Sequence, residues 1–247
     1  MINLKEIYAR SYRLLGPEAM KKMSTKKVII FGVGGVGSWV AEGLLRTGVY
    51  NITIVDADKV AISNFNRQLM ATSKTVGQPK VLAMKERLLD INPDANIVAL
   101  QEIYTAENSE KFHLEDYDII VDAIDSLKDK AALILNACKT KAYFISSMGA
   151  ALKIDPQKIK VDEFWKVKGC PLARALRGKF KHFQTYPDRK FLCVYSDELL
   201  ENKGIDEVPP TEKLSFTKAQ INGSLIHITA IYGFMITGNI IKEICLE

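Results

Sequence analysis

A glycine-rich stretch at residues 32–38 constrains the fold of this chain more than any other segment. It reads Gly-Val-Gly-Gly-Val-Gly-Ser and directly follows the apolar run Val28–Phe31, which is typical of a strand buried on both faces. Without a Cβ, Gly32 permits a tight turn, Gly34 lets backbone N–H groups approach phosphate oxygens, and Gly37 lets a helix pack closely on the strand. The pattern predicts a strand, a phosphate-binding turn, and a helix whose positive end faces an anion.

A carboxylate follows the next predicted strand. The apolar run Ile52–Val55 ends in Asp56, nineteen positions beyond Gly37. An acidic side chain at this place accepts hydrogen bonds from ribose hydroxyls in nucleotide-binding α/β proteins. Together with the glycine-rich turn, it predicts an adenine nucleotide at the edge of a parallel sheet. The alternative is a glycine-rich turn that binds no ligand.

The segment beyond Asp56 is crowded with polar side chains. Asn64 and Arg67 are three positions apart, so a helical turn would place them on one face, where they could bind phosphate oxygens together. Lys80, after the turn Gly77–Pro79, adds a compact positive charge. The set predicts a triphosphate site, although each residue alone is typical of a solvated surface turn.

Two carboxylates follow another strand of the buried type, Asp118–Val121. Asp122 and Asp125 would lie at the carboxyl end of this strand and face the ligand crevice. Hard oxygen ligands beside a triphosphate favour Mg²⁺, and we expect Asp125 to bind it. Either carboxylate could instead cap the next helix, an alternative that is stronger for Asp122.

These motifs resemble the ubiquitin-activating-enzyme-like adenylating family, which includes the bacterial adenylyltransferases of molybdopterin and thiamine synthesis. Within it, the chain is most similar to the tRNA threonylcarbamoyladenosine dehydratases, on the segments Arg10–Gly16, Ser146–Ala150 and Asn222–Ser224. The likeness covers nearly the whole chain. Its nucleotide-binding motifs contain Gly32, Gly34, Gly35, Gly37, Asp56, Asp58, Asn64, Arg67, Gln68, Lys80, Asp122 and Asp125.

The resemblance implies a fold, a reaction and residue roles. It implies a Rossmann-like, doubly wound α/β sheet, mainly parallel, that uses ATP and Mg²⁺ to cyclise threonylcarbamoyladenosine in tRNA through an acyl-adenylate. Gln68 matches a position that supports the phosphate cluster, and Arg13 matches an arginine that crosses a homodimer to the γ-phosphate of the neighbouring site. The implied catalytic residues are Arg13, Arg67, Lys80 and Asp125. Participation of a monovalent cation (K⁺ or Na⁺) or of a cysteine-desulfurase and sulfur-acceptor system stays open.

Other functions use a similar nucleotide fold. A sulfur-carrier adenylyltransferase activates the C-terminus of a ubiquitin-like protein and commonly holds zinc through two Cys-x-x-Cys pairs, which the four cysteines here do not form. A nicotinamide-dependent oxidoreductase or a nucleotide sensor shares the glycine-rich turn, but a dehydrogenase does not need the polar cluster after Asp56. We expect Cys193, within a strand-like stretch, to be a buried structural thiol.

The net charge of +5 is unevenly distributed. Residues 151–190 contain eleven Lys or Arg against four acidic residues, and aromatic residues are interleaved with them. Such a segment attracts a polyanion, and its rings could stack on nucleobases. An amphipathic helix with its aromatic residues in the core explains the composition equally well, and the resemblance favours tRNA. The aromatic residues are Phe164, Trp165, Phe180, Phe183 and Tyr186.

The length of 247 residues, 47% apolar and 26% charged, suits one large α/β domain. We expect a single adenylating domain over 1–247, made of a helical arm (1–25), a nucleotide-binding core (26–150) and a substrate- and dimer-side extension (151–247). The N-terminus lacks the pattern of a secretory signal, so a cytoplasmic location with reduced thiols is expected.

The stretch from Ser224 to Ile241 has eighteen positions without a charged side chain, the lower edge of a membrane span. Its glycines and polar residues favour a helix buried in the core and the dimer interface, and no stable membrane insertion is expected. His227 is expected to be a hydrogen-bonded core histidine.

Cys170 stands where the resemblance leads us to expect an acid before a proline, which leaves the role of this position open.

Overall fold

Short apolar runs, separated by helices and turns, build one sheet in this computed structural model, which describes residues 4–204 and 222–246. The strands are β1 (Lys27–Phe31), β2 (Asn51–Val55), β3 (Asn96–Leu100), β4 (Ile119–Asp122), β5 (Tyr143–Ser147), β6 (Ile159–Glu163) and β7 (Leu192–Ser196). The helices are α1 (Leu4–Ile7), α2 (Ala9–Thr25), α3 (Gly37–Thr47), α4 (Lys80–Ile91), α5 (Leu127–Ala137), α6 (Pro171–His182) and α7 (Ile226–Leu246). The predicted arm and extension also include residues 1–3, 205–221 and 247, which lie outside the described residues.

The strand order, within the described part of the chain, is β3-β2-β1-β4-β5-β7-β6. The first six strands of this order run parallel, and β6 runs antiparallel to β7 at the edge. β1 pairs with β2 on one side and with β4 on the other, so the direction of winding reverses between β1 and β4. In such sheets, ligands bind outside the carboxyl ends of the strands at this reversal. The predicted doubly wound, mainly parallel α/β fold is confirmed.

The sheet separates two hydrophobic cores because successive side chains of a strand point to opposite faces. Val28 and Ile30 lie in the core covered by α2, α3, α4 and α7. Ile29 and Phe31 lie in the core covered by α5, α6 and the segment 103–117. All four side chains are fully buried, which explains the uninterrupted apolar run of β1.

The N-terminal arm is anchored at the amino edge of the sheet. Tyr8, just before α2, and Met20, in its second half, both pack beside Gly48, which lies three positions before β2. Between these two contacts, α2 bends at Gly16, whose φ of 78° is a left-handed conformation that suits glycine. Arg13 lies just before this bend and is exposed.

Small residues let α7 pack closely on α3. A Cβ at Gly233 would lie 2.6 Å from Cβ of Trp39, and one at Gly43 would lie 2.9 Å from Oγ1 of Thr237. By length and composition α7 is long and apolar enough to cross a membrane, and half of its apolar stretch is buried inside the protein. The prediction that this helix is buried in the core is confirmed, since Tyr232 and its apolar neighbours on one face are fully buried. Its place in a dimer interface stays a prediction.

The structure contains one strand that the sequence pattern did not predict, and one local expectation was wrong. The strand is the antiparallel edge strand β6, whose short sequence Ile-Lys-Val-Asp-Glu alternates apolar and charged residues within a basic segment. His227 is exposed and does not lie in the core. Its Nε2 lies 2.9 Å from the carbonyl oxygen of Ile154, so the ring is hydrogen-bonded at the surface instead.

Two helical glycines, Gly233 inside the contact between α3 and α7 and Gly178 outside it, should show opposite changes in stability when replaced by alanine. Gly233→Ala should lower the free energy of unfolding by about 1–3 kcal/mol, because the new methyl group overlaps Trp39 and the carbonyl oxygen of Val36. Gly178→Ala in α6, with no atom within 4 Å of its Cβ position, should raise it by about 0.5–1 kcal/mol. Urea unfolding measures both changes, and a stabilising Gly233→Ala would contradict the close helix contact.

Candidate nucleotide-binding site

Parallel pairing brings the candidate residues to one edge of the sheet. Phe31 at the end of β1 lies beside Val55 of β2 and Asp122 of β4. The chain then continues from these three ends into the glycine-rich turn, into Asp56 and into the loop that contains Asp125. The predicted residues of three separate segments therefore border the crevice at the winding reversal.

The glycines of the turn have different physical roles. Gly32 has φ 88°, and a Cβ there would lie 2.6 Å from the carbonyl oxygen of Ala123. A Cβ at Gly37 would lie 1.8 Å from the carbonyl oxygen of Gly32, so this position tolerates no side chain. The closest atom to a Cβ at Gly34 is Nε2 of Gln68, 3.9 Å away, so the backbone at Gly34 is accessible to a ligand.

Gly35 packs against Arg67, one of the residues predicted to bind phosphate, and against α7. A Cβ at Gly35 would lie 3.1 Å from Cγ2 of Thr229 in α7 and 3.4 Å from Cγ of Arg67. Nη1 of Arg67 donates to the carbonyl oxygen of Ser63 at 3.0 Å, and the indole N–H of Trp39 donates to the carbonyl oxygen of Arg67 at 3.4 Å. These contacts hold the arginine stem directly against the glycine-rich turn.

Asp56, at the end of β2, is hydrogen-bonded to the glycine-rich turn. Its Oδ2 accepts from the backbone N–H of Val33 at 2.8 Å, and its Oδ1 accepts from that of Asp58 at 2.9 Å. Burial raises the pKa of this carboxyl, an effect that the nearby Lys80 ammonium and the two N–H donors oppose. The carboxylate is thus fixed at the crevice, where its remaining lone pairs can accept from a ribose.

Lys80 is held by Asp58. The lysine begins α4 and is 6% exposed, and its Nζ lies 2.8 Å from Oδ2 of Asp58, whose side chain is 73% exposed. A backbone bond from the N–H of Lys80 to the carbonyl oxygen of Asp58 fixes the same pair. The ammonium is therefore positioned by a carboxylate that faces solvent, a pairing that an incoming phosphate could replace.

Asn64 and Gln68 are buried beneath the same segment. Oδ1 of Asn64 accepts from the N–H of Ala61 at 3.0 Å and so closes the short 3-10 turn Ile62–Asn64. The N–H of Gln68 donates to the carbonyl oxygen of Asn64 at 2.9 Å. Oε1 of Gln68 has no hydrogen-bond partner among the described residues, an acceptor whose burial is costly unless a donor is supplied.

Asp122 forms a buried ion pair. Its Oδ2 lies 2.8 Å from Nζ of Lys130 and accepts from the hydroxyl of Ser146 at 2.6 Å, and both charged side chains are fully buried. Its Oδ1 accepts from the N–H of Ile124 at 3.1 Å, and Lys130 also donates to the carbonyl oxygen of Ile124. These bonds shape the loop 123–126, which favours a positioning role for Asp122 over direct contact with a nucleotide.

Asp125 lies in that loop and is exposed at the crevice. The helix after it is capped by Ser126, whose hydroxyl oxygen accepts from the N–H of Asp129 at 3.4 Å. The alternative that Asp122 or Asp125 is the cap of α5 is therefore wrong. Asp125 presents a hard oxygen donor at the edge of the crevice, as the chemistry of Mg²⁺ requires.

Arg13 is not brought to the crevice of its own chain. The arm that carries it is anchored beside Gly48 at the amino edge of the sheet, about 17 Å of strand away from the carboxyl edge.

Lys130, the partner of Asp122, was not predicted from the sequence. Its signal was a lone charge among the buried apolar positions of α5, where an unpaired ammonium would be unstable.

The aromatic residues of the basic segment divide into two groups. Phe164 and Phe180 are buried in the core beneath α5 and α6, so a stacking role for these two is wrong. Trp165, Phe183 and Tyr186 are exposed. Of the five rings, these three are exposed enough to stack on a nucleobase.

Three of the four cysteines are buried, and the described residues contain no group of three or more His, Cys, Asp or Glu placed to hold a metal ion. Cys193 is fully buried, and burial raises the pKa of its thiol well above the ordinary value. The prediction of a buried thiol at this position is confirmed. Cys170 is buried as well and precedes α6.

Comparison with known proteins places the chain among nucleotide-dependent enzymes. The model of the ThiF family matches residues 8–245. The tRNA threonylcarbamoyladenosine dehydratase of Bacillus subtilis is 33% identical over 240 residues, which cover 96% of this chain and 94% of the relative. A crystal structure of E. coli tRNA N6-threonylcarbamoyladenosine dehydratase in complex with ATP superposes with a TM-score of 0.85 at 31% identity, covering 97% of this chain and 94% of that one.

A relative from the rival class matches over a shorter range. The sulfur carrier protein adenylyltransferase of Thermus thermophilus is 35% identical over 126 residues, which cover 49% of this chain and 46% of the relative. The similarity to the dehydratases extends through both halves of the chain, including the segment after β5.

The buried ion pair predicts a large loss of stability when one partner is removed. Lys130→Met should lower the free energy of unfolding by about 3–5 kcal/mol, because it leaves the Asp122 carboxylate buried without its counter-charge. The double variant with Asp122→Asn should recover a large part of the loss. Lys128→Met, at an exposed position of the same helix, should change it by about 0.5 kcal/mol or less. Equal stability of the two single variants in urea unfolding would contradict a structural role for the pair.

Proposed function

Because the chain belongs to the ThiF family, and its similarity to the dehydratases spans 96% of its length, we propose that it is an ATP-dependent dehydratase that cyclises threonylcarbamoyladenosine in tRNA. The family resemblance inferred from the motifs is confirmed. The observation that carries the proposal is the meeting of Asp56, Lys80, Arg67 and Asp125 with the glycine-rich turn at one edge of the sheet. The enzyme is expected to act in the cytoplasm, as a homodimer.

The nucleotide occupies the crevice at the winding reversal. Asp56 accepts hydrogen bonds from the ribose, and the backbone N–H groups around Gly34 bind phosphate oxygens at the start of α3. Asn64, Arg67 and Lys80 bind the same phosphates, and Lys80 then exchanges part of its interaction with Asp58 for an interaction with the triphosphate. The buried Oε1 of Gln68 then accepts a hydrogen bond from a hydroxyl of the nucleotide or from a water bound beside the nucleotide.

The residues present fit a magnesium ion. Mg²⁺ keeps several waters and is usually bound through one or two carboxylates plus substrate phosphates. Asp125, exposed in the loop between β4 and α5, supplies such a carboxylate. When bound, the ion neutralises charge that develops on the phosphate oxygens.

The chemical obstacle is that hydroxide is a poor leaving group from a carboxylic acid. The threonyl carboxylate attacks the α-phosphorus of ATP, which forms an acyl-adenylate and releases pyrophosphate. Arg67 and Lys80 stabilise the charge on the departing phosphates. The carbamoyl oxygen then attacks the activated carbonyl within the same molecule, and the threonyl nitrogen loses its proton to solvent. An oxazolone ring closes, and AMP leaves with the former carboxylate oxygen.

The second step depends on positioning, since nucleophile and electrophile already belong to one substrate. The enzyme must hold the acyl-adenylate in the geometry of ring closure and keep water away from it. Asp122 contributes indirectly, because its bonds to Lys130 and to the N–H of Ile124 fix the loop that presents Asp125.

The metal role of Asp125 predicts loss of the first step when the carboxylate is removed. Asp125→Ala should lower the rate of pyrophosphate release by about 100-fold or more, because the phosphate charge is no longer neutralised. The assay incubates tRNA carrying threonylcarbamoyladenosine with protein, ATP and Mg²⁺, and measures pyrophosphate, AMP and the masses of the tRNA nucleosides. The wild-type protein should yield a nucleoside lighter by one water.

Asp94→Ala serves as the matched control, since Asp94 is an exposed carboxylate in the turn before β3 at the opposite edge of the sheet. It should leave both products at wild-type levels. Near-normal pyrophosphate release from Asp125→Ala would reject its metal role. Transfer of AMP to the C-terminus of a small carrier protein, with no lighter nucleoside, would instead favour the sulfur-carrier adenylyltransferases.

The position of Arg13 predicts that two inactive variants complement each other. In a homodimer whose arms cross, Arg13→Ala removes a phosphate ligand from the neighbouring site, whereas Asp125→Ala inactivates its own site. A hybrid dimer then keeps one complete site, so an equal mixture that exchanges subunits should recover about a quarter of the wild-type rate. A mixture that stays inactive while dimers form normally would show that Arg13 does not act across the interface.

A further inference from the structure

A groove lies on the outer surface of α5, on the side of the sheet that carries α6. One part, of about 330 Å³, has an apolar floor that includes Ala131, Leu135 and Phe180, and Phe183 forms part of its wall. A neighbouring part, of about 320 Å³, shares Leu135 and continues to Tyr186. The two parts form one shallow, open surface between α5 and the segment after α6, which we call the α5 groove.

The α5 groove exposes aromatic rings that the core does not need. Phe183 is 62% exposed and Tyr186 is 50% exposed. Nζ of Lys179 lies 5.1 Å from the centroid of the Phe183 ring, a cation–π contact. A phenylalanine this exposed gains little from the hydrophobic effect in the folded chain, so its apolar face is available for a ligand.

The rim of the α5 groove is mainly cationic. Lys128, Lys139 and Lys179 line it, against a single carboxylate among its lining residues, that of Asp188. Lys128 lies 3.5 Å from Glu107, but both side chains are more than two-thirds exposed, so solvent screens this pair. Apolar walls with an ammonium rim are complementary to a nucleobase attached to a phosphodiester backbone.

The α5 groove begins beside the proposed catalytic edge. Lys128 lies in the first turn of α5, three residues after Asp125. From Lys128 to Asn136 the helix extends by about 12 Å, since each helical residue adds about 1.5 Å. The groove is therefore within reach of an RNA strand whose modified base lies at the nucleotide site.

We propose that the α5 groove binds an unpaired nucleotide of the RNA substrate next to the modified adenosine, with its base stacked on Phe183 and its phosphates near Lys128 and Lys179. The inference rests on the proposed function, together with the position that the family resemblance implies for the substrate adenosine, next to the anticodon in an unpaired loop of the tRNA. Bases of such loops are splayed out and recognised by stacking on aromatic side chains. Lys179 then moves from the ring face to a phosphate, so that the base takes its place.

The test measures binding of a synthetic anticodon stem-loop RNA that carries 2-aminopurine next to the target adenosine. Stacking on Phe183 should quench the fluorescence of 2-aminopurine when the full-length wild-type protein is added. Phe183→Ala and Phe183→Leu should each weaken binding by about tenfold and abolish the quench, because neither side chain has an aromatic face. Phe183→Tyr should bind like wild type.

Charge is tested by the salt dependence of the same binding. Lys128→Ala should reduce the slope of log K against log salt by about 0.7, the value for one phosphate contact on a single strand. Lys242→Ala, exposed on α7 across the sheet, should leave the slope unchanged. Calorimetric titration with ATP and Mg²⁺ should give the same affinity for all Phe183 variants, because the nucleotide site is intact.

The outcomes separate the stacking proposal from the proposed function. Wild-type binding together with unaltered binding by Phe183→Leu would overturn the stacking proposal and leave the proposed function standing. Loss of binding in Phe183→Tyr equal to that in Phe183→Ala would likewise overturn it, since the ring alone would not suffice. If the wild-type protein bound neither the stem-loop nor whole tRNA, both the groove assignment and the proposed function would fail.

Discussion

The contact between Gly37 and the carbonyl oxygen of Gly32 is the constraint from which the site is built. A Cβ at Gly37 would lie 1.8 Å from that oxygen, so the start of α3 can lie directly on the end of β1 only with glycine there. The same turn presses Gly32 against the carbonyl of Ala123 at the end of β4. A helix N-terminus, two strand ends and an accessible backbone at Gly34 are thus fixed within one crevice, where an anion is favoured by the unpaired N–H groups.

Around this turn, the charged residues position one another before any ligand binds. Asp56 holds the backbone of Val33, Asp58 holds Lys80, and Asp122 holds Lys130. Each carboxylate has a different burial, and burial decides its role: the buried Asp122 orders a loop, whereas the exposed Asp58 can release its lysine to a phosphate. A site arranged in this way needs little reorganisation on binding, which is the condition for effective electrostatic stabilisation.

The sequence predicted the elements whose residues are constrained by local geometry. The glycine spacing and the uninterrupted apolar runs reflect local geometry, which predicts strands, a tight turn and a helix, and the fold followed from them. Tertiary partners could not be predicted in the same way. Phe164 and Phe183 both belong to the basic segment, yet Phe164 lies in the core and Phe183 is exposed. Phe164 is buried because its ring stacks on Phe191, which is remote in the sequence, and contacts Phe180. Lys130 was missed for the same reason, since its partner Asp122 belongs to a separate element.

Helix α5 connects the nucleotide-binding crevice with the α5 groove proposed to bind RNA. Its first turn follows Asp125 and is fixed by Ser126 at the cap and by Lys130, whose ammonium binds both Asp122 and the carbonyl oxygen of Ile124. Lys128, on the exposed face of the same turn, therefore keeps a constant distance from the loop that contains Asp125. An RNA strand bound along this helix, as we propose, would be positioned relative to the nucleotide site by a rigid element rather than by a flexible loop. Since ring closure depends on geometry, the rigidity of this one helical turn links recognition of the RNA to the chemistry of the adenylate.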